Sequence, residues 1–359
     1  LDYMSITRRR LLGSGLAGVV VGGALKAPAQ ANQRSSDQPS VRGSSREAAN
    51  TQVDVVVIGA GVSGLMAARA LEQGGQSITV LEAAQRIGGR CLRQQTTQGW
   101  WLDLGGQWVG KTHHLFKTLT KELGIELFDS YFKGNTVLVW NGKRVVVPIN
   151  GDWAGTFLGV AYGNVPVSLQ EREAAQRLHG EFLKLVQTVD AERPWLTPRA
   201  RMLDTETVET WMRQRTDSDL AHAILRWYAR VGGSGGFEPG DTSILHLAQT
   251  QKASPQGETP ENWLLHGAVG QIPGKLASQI KGKIQTNAAA QRVRRLADGR
   301  YDVTAANGTT HRCRAVVVAI PPALRERVVF ESILPQEYNR LFQRAPMGSP
   351  SGRASVGIL

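Results

Sequence analysis

The first patterned stretch of the chain runs from Val53 to Ile58, where every position except Asp54 is a β-branched aliphatic. A strand without polar alternation is covered on both faces, as in the middle of a parallel sheet. Small and apolar residues then recur at helical spacing from Val62 to Gln73, and Gly74-Gly75 closes that helix. Ser77 to Leu81 predicts a second strand, which completes a βαβ unit of about thirty residues. Between 113 and 250 this alternation is lost. Helical spacing covers Glu171–Val189 and Glu206–Val231, with Pro194, Pro198 and Gly232-Gly233-Ser234-Gly235-Gly236 as interruptions. A separate, mainly helical insertion is expected there. From Ala290 the pattern changes again: Asp298-Gly299 and Asn307-Gly308 are hairpin pairs between alternating runs, and an apolar strand, Ala315–Ile320, stops at Pro321-Pro322. These runs predict a three-stranded meander leading back into the first sheet.

The turn out of the first strand reads Gly59-Ala60-Gly61-Val62-Ser63-Gly64. Gly59 permits a tight turn, Gly61 lets backbone approach a diphosphate, and Gly64 lets the helix pack close to the sheet. The helix start then offers free N–H groups and a partial positive charge to phosphate. Glu82, at the end of the second strand, stands where a carboxylate accepts both ribose hydroxyls of an adenosine. A hydrolase elbow around Ser63 is excluded, because that motif needs glycine where Leu65 stands. The next segment, Glu82-Ala83-Ala84-Gln85-Arg86-Ile87-Gly88-Gly89-Arg90, distinguishes flavin from nicotinamide: its glycines admit a close neighbour and Arg90 brings charge to a diphosphate. Asp103-Leu104-Gly105-Gly106-Gln107-Trp108-Val109-Gly110 is a second place where backbone must approach something flat.

Composition adds bounds. With 359 residues, 41% hydrophobic and 20% charged, the chain is long enough for one large domain or two interleaved ones. The formal charge of +12 falls to +9 without residues 1–31, which hold four basic residues and one acid. The basic positions are scattered, and the tightest group (Arg292, Arg294, Arg295) falls in a predicted strand, so a solvated surface fits better than a nucleic-acid footprint. Cys91 and Cys313 are too few and too distant for a disulfide framework or a zinc site, although export leaves a single bridge open. The seven histidines, His113 and His114 included, lack metal-ligand spacing, so no metal is expected. Thr7-Arg8-Arg9-Arg10-Leu11-Leu12, an apolar stretch to Leu25 and Ala29-Gln30-Ala31 follow the order of a signal peptide. Its paired arginines predict twin-arginine export to the periplasm or an equivalent lumen. Residues 32–50, rich in Ser, Gln, Arg and Gly, predict a disordered linker.

Taken together, VVVIGAGVSGL, LEAAQRIGGR, DLGGQWVG, the stretch from Val269-Gly270-Gln271 to Ala290, VVVAIPPAL and Met347-Gly348-Ser349 resemble the flavin-containing amine oxidases. That family includes monoamine, polyamine and L-amino-acid oxidases, and the resemblance covers residues 53 to about 349. It implies an α/β fold: a Rossmann-type FAD-binding domain interleaved with a mainly helical substrate domain, the C-terminal part of the family fold missing. The division expected is a signal peptide over 1–31, a linker over 32–50, FAD-binding segments over 51–112 and 256–325, a substrate domain over 113–255, and a truncated return to it over 326–359. By resemblance, Gly61, Val62 and Ser63 contact the diphosphate, with Gly59 and Gly64 of the same loop also counted as cofactor-binding, and Glu82, followed by Ala83, holds the adenosine ribose. Gly89 and Arg90 lie beside phosphates and flavin. Gly105, Gly106, Gln107 and Trp108 line the isoalloxazine ring, and Ala290 meets the adenine where valine is usual. FAD is expected without a covalent link, because neither Cys91 nor Cys313 matches the family's flavin-linked cysteine.

The reaction implied is oxidative deamination. An uncharged amine gives hydride from its α-carbon to the flavin, the imine hydrolyses in solution, and oxygen takes the electrons to form hydrogen peroxide. An apolar pocket helps by disfavouring the ammonium form. No catalytic base is assigned. Leader, size and charge most resemble the cyanobacterial type of L-amino-acid oxidase that prefers basic amino acids. Polyamine or monoamine oxidase and a truncated, inactive flavin-binding chain stay open; a nicotinamide dehydrogenase is the weakest alternative. The partners expected are a small cationic amine or amino acid and oxygen, with peripheral membrane contact and a homodimer also open, and no nucleic acid. Two positions depart from the family pattern. Trp108 stands where many L-amino-acid oxidases carry an arginine for the substrate carboxylate, and Gly352 stands where an active-site lysine is usual. The tail from Pro350 to Leu359 matches nothing in the family, so a frame shift or truncated reading frame past Ser349 is expected.

Overall fold

The computed structural model describes residues 50–131, 133–148, 165–230, 238–253 and 261–331, with positions 163, 334, 335, 337, 338 and 340. The leader, residues 32–49 of the linker, the Gly232–Gly236 run and the tail beyond Met347 lie outside the described residues.

Asn50, expected to end the linker, is the first residue of strand β1 (Asn50–Gln52). The strand predicted from Val53 starts two residues later, as β2 (Val55–Ile58). The reason lies at Asp54, whose carboxylate accepts from the Ser77 N–H and hydroxyl at 2.8 and 2.7 Å. These bonds hold the Asp54 carboxyl below its ordinary range. β2 sits between β3 (Ile78–Leu81) and β14 (Ala315–Val318), with β10 (Lys283–Gln285) outside β3, and all four strands are parallel. Helix α1 (Val62–Gln73) makes the crossover from β2 to β3.

The absence of alternation in β2 now has its cause. Val55 and Val57 pack into a core with Leu65 and Ala68 of α1 and with Ile272 and Leu276 of α8 (Ile272–Ala277). Val56 and Ile58 face the other way, onto the meander β11 (Ala290–Arg295), β12 (Tyr301–Ala305) and β13 (Thr310–Cys313). That meander is antiparallel, and β1 and β15 (Val329–Glu331) join its edges in parallel. Cys313 lies in this core, where burial pushes its thiol up to about 11. Both cysteines are free thiols.

The middle of the chain packs mostly as helices: α2 (His114–Glu122), α3 (Leu169–Thr188), α4 (Ala200–Thr205), α5 (Val208–Arg213), α6 (Asp219–Arg230) and α7 (Ile244–Ala253). The single helix expected over Glu206–Val231 is two. Ser218 starts the second by accepting from the Ala221 N–H, while the Glu171 carboxylate accepts from the Ser218 hydroxyl and Leu220 N–H, each at 3.0 Å. A carboxylate from α3 thus caps α6, which sequence spacing does not reveal. This region also contains the hairpin of β7 (Asn135–Trp140) and β8 (Lys143–Pro148), turned by Asn141 and Gly142 at φ 44° and 75°. Two further ribbons are antiparallel pairs: β4 (Arg93–Gln95) with β5 (Trp101–Asp103), and β6 (Leu127–Asp129) with β9 (Trp263–Leu265).

Candidate cofactor site

The chain leaves β2 through Gly59 at φ +104°, a conformation open to glycine. Gly64 packs directly on it. A Cβ at Gly64 would stand 1.9 Å from the Gly59 carbonyl oxygen, so only glycine lets α1 start this close to β2. Gly61 is the opposite case: nothing lies within 4 Å of its Cβ position. No side chain caps α1, and the N–H groups of Ser63 and Gly64 find no acceptor among the described residues. Open space beside unspent N–H donors at a helix start fits a diphosphate.

Glu82 follows β3 and is bonded into this loop. Its Oε2 accepts from the Ala60 N–H at 2.8 Å and its Oε1 from the Ala84 N–H at 2.9 Å. The Glu82 backbone is held from both sides, donating to Gln285 and accepting from Ala288, each at 2.8 Å. The carboxylate is therefore oriented in advance, and each oxygen keeps a lone pair for a hydroxyl. Ala83 is exposed beside it, and Ala290 starts β11 two residues past Ala288.

A second strip lies on the first. The Gly88 N–H donates to the Ala60 carbonyl at 2.8 Å, pairing Gly88 with Gly61, and a Cβ on Gly89 would stand 3.4 Å from the Gly61 Cα. Arg90 follows, exposed, its guanidinium without a partner among the described residues. The Arg90 backbone receives a third strip: Gly106 N–H donates to its carbonyl at 3.2 Å, and a Cβ on Gly105 would meet that oxygen at 2.0 Å. Gly105 thus has a packing reason of its own. What comes close to it is the Arg90 backbone, while the Gly106 Cβ position faces nothing within 4 Å. No hydrogen bond joins the Gln107 or Trp108 side chain to the Gly59–Gly64 loop among the described residues. Trp108 is 46% exposed and is held through its neighbour, since Val109 and Trp263 exchange backbone bonds of 2.8 and 2.9 Å.

Sequence reading assigns no role to Asp103, Arg93 or Gly270, yet they buttress these strips. Asp103 accepts from the Val269 and Gly270 N–H groups at 3.0 and 3.2 Å. Burial raises its carboxyl above the ordinary range, against the lowering influence of those bonds and of Arg93. Both ends of this contact stand in noticed motifs, DLGGQWVG and the Val269-Gly270-Gln271 stretch. Only folding joins them.

A parallel sheet whose glycine loop and strand-end acid converge on an open helix start defines a dinucleotide-binding protein of the α/β class. The family profile described as flavin containing amine oxidoreductase matches residues 62–351, and the chain belongs to that family. FAD is the cofactor such a cradle serves. The chain is 35% identical over 304 residues to the L-amino acid dehydrogenase of Synechocystis sp., covering 84% of this chain and 63% of that one. It is 30% identical over 313 residues to the putrescine oxidase of Kocuria rosea, covering 82% and 62%. Among solved structures, the cyclohexylamine oxidase of Brevibacterium oxydans matches with a TM-score of 0.67 at 27% identity, covering 82% of this chain and 64% of that one. The chain thus spans just under two thirds of the length of these relatives.

Proposed function

We propose that this chain carries the FAD-binding machinery of an exported enzyme that oxidises L-amino acids, preferring the basic side chains of arginine and lysine, to 2-oxo acid, ammonia and hydrogen peroxide. The observation that carries the flavin part is the Glu82 carboxylate already bonded to the Ala60 N–H inside the glycine loop. The amino-acid part rests on likeness to the Synechocystis relative.

In this proposal the Ser63 and Gly64 N–H groups and the Arg90 guanidinium hold the diphosphate. Glu82 takes the ribose hydroxyls, and Ala290 meets the adenine. Gly105 to Trp108 lie along the flavin ring and keep water from one side of it. Bound FAD supplies a two-electron acceptor for the hydride of the substrate α-carbon. Residues 51–112 and 256–325 form the cofactor domain and 113–255 the substrate domain; the return to the substrate domain expected from 326 starts later, because β15 (Val329–Glu331) still pairs with β11 of the cofactor domain. Residues 1–31 direct twin-arginine export.

A second reading, oxidation of a diamine, is favoured by the putrescine oxidase relative and by Trp108, which offers a substrate carboxylate no cation. Anaerobic bleaching of the holoprotein by arginine, lysine, putrescine and tyramine separates the two. Bleaching by arginine and lysine, with peroxide on admitting air, is the expected result. Bleaching by putrescine alone selects the second reading. Bleaching without peroxide on admitting air would replace the oxidase by a dehydrogenase, as the Synechocystis relative is named. A yellow protein that no amine bleaches is a flavin-binding chain without turnover, and a colourless one after incubation with excess FAD removes the cofactor reading.

A further inference from the structure

We infer that Asp103 is the positioning residue of the flavin strip: by capping the helical turn Val269–Gln271 it fixes Gly105–Trp108 and Gly88–Arg90 as one unit over the glycine loop. The inference rests on the FAD reading above.

Val269–Gln271 runs straight into α8, and the residue before it, Ala268, has no side chain able to cap it. The cap comes from β5 instead. Each Asp103 oxygen accepts from one of two successive N–H groups, Val269 and Gly270, so both are satisfied by one carboxylate at a helical start. The same contact locks a strained backbone. Ala268 sits at φ 69°, ψ 155°, a region populated essentially by glycine and retained elsewhere only where surroundings over-determine it.

Arg93, opposite Asp103 in the β4–β5 ribbon, secures the other side of the strained residue. Its guanidinium donates to the Gly267 carbonyl at 2.9 Å and lies 3.9 Å over the Trp101 ring. Gly270 must be glycine for this join, because a Cβ there would stand 2.5 Å from the Arg93 backbone nitrogen. One turn further on, Pro273 packs against Gly88, its Cγ 3.0 Å from where a Gly88 Cβ would be. A single helical segment thus touches Asp103, two residues before Gly105, and also Gly88, the partner of Gly61. Because the Gly106 N–H also bonds the Arg90 carbonyl, the two strips cannot shift independently.

The test compares wild type with Asp103→Ala, Asp103→Asn and Asp103→Glu in the full chain, reading FAD affinity of the apoprotein by flavin fluorescence and the visible spectrum of bound flavin. Asp103→Ala, which loses both acceptors, weakens FAD binding by about tenfold or more and changes the flavin band. Asp103→Asn keeps one good acceptor and falls between. Asp103→Glu keeps two and restores the wild-type spectrum. Wild-type affinity and spectrum in both Asp103→Ala and Asp103→Asn overturn the inference. So does an affinity that only follows lost thermal stability while the residual bound flavin keeps its wild-type band. Should Asp103→Ala not fold, the Asp103→Asn spectrum decides by the same criteria. A wild-type apoprotein that binds no FAD removes the cofactor reading itself, and this inference with it.

Discussion

Around Gly59 and Gly64 the backbones of a strand and a helix touch, whereas around Phe182 the helices are kept apart by interlocking side chains. In the first region, a missing Cβ is the structural element: 1.9 Å separates the Gly64 Cβ position from the Gly59 oxygen. In the second, Phe182 is fully buried, with the Trp211 ring edge-on to it at 6.4 Å and Tyr228 at 5.8 Å. The cradle is built from close backbone approach and hydrogen bonds, so at Gly59, Gly64 and Gly105 it tolerates no added side chain. The helical core is built from volume, which many apolar residues supply. The two regions should therefore fail differently.

The largest expected effect is at the cradle. Gly64→Ala forces α1 away from β2, abolishes retention of FAD, and destabilises the fold by about 3 kcal/mol or more; flavin content after gel filtration and a thermal melt measure both. Phe182→Ala should cost about 3–5 kcal/mol of stability through its cavity, yet leave FAD affinity unchanged when titrated well below the melting temperature. Loss of FAD affinity there, with the fold intact, would break the contrast.

Acid sharpens the same comparison. His179, buried beside Tyr228, is held below its ordinary range near 6.5 by burial. The unfolded chain takes up this proton first, so the stability contribution is present above the ordinary value and is lost as pH falls below it. Urea unfolding between about pH 7.5 and 5 should show a fall in stability toward the acid side that His179→Phe removes. The smallest effect has the opposite sign: Ala268→Gly relieves the strained turn and should raise stability by about 1 kcal/mol, net of the entropy glycine adds to the unfolded chain. A lowered melting temperature would show that Ala268 is not strained.

Much of the cradle was legible from sequence because its constraints are local. The run ending at Ile58, the loop from Gly59, helix α1 to Gln73 and the acid Glu82 fall within about thirty residues, where each glycine answers a neighbour a few positions away. The β7–β8 hairpin was missed within the expected helical insertion, although Asn141-Gly142 between valine-rich runs is a local hairpin signal. The break between α5 and α6 was not legible, since the cap on α6 comes from Glu171, 49 residues from Leu220.

What the chain's own sequence determined, then, is the part in which chemistry and chain order coincide: a βαβ unit, a phosphate-type loop and an acid at the strand end. Tertiary structure alone decided what Gly105 packs against, which amides Asp103 caps, and that Pro273 braces Gly88. Those contacts link residues whose side chains offer no local sign of each other, because a hydrogen-bond donor or a missing Cβ in one motif names no particular partner until folding brings the two together.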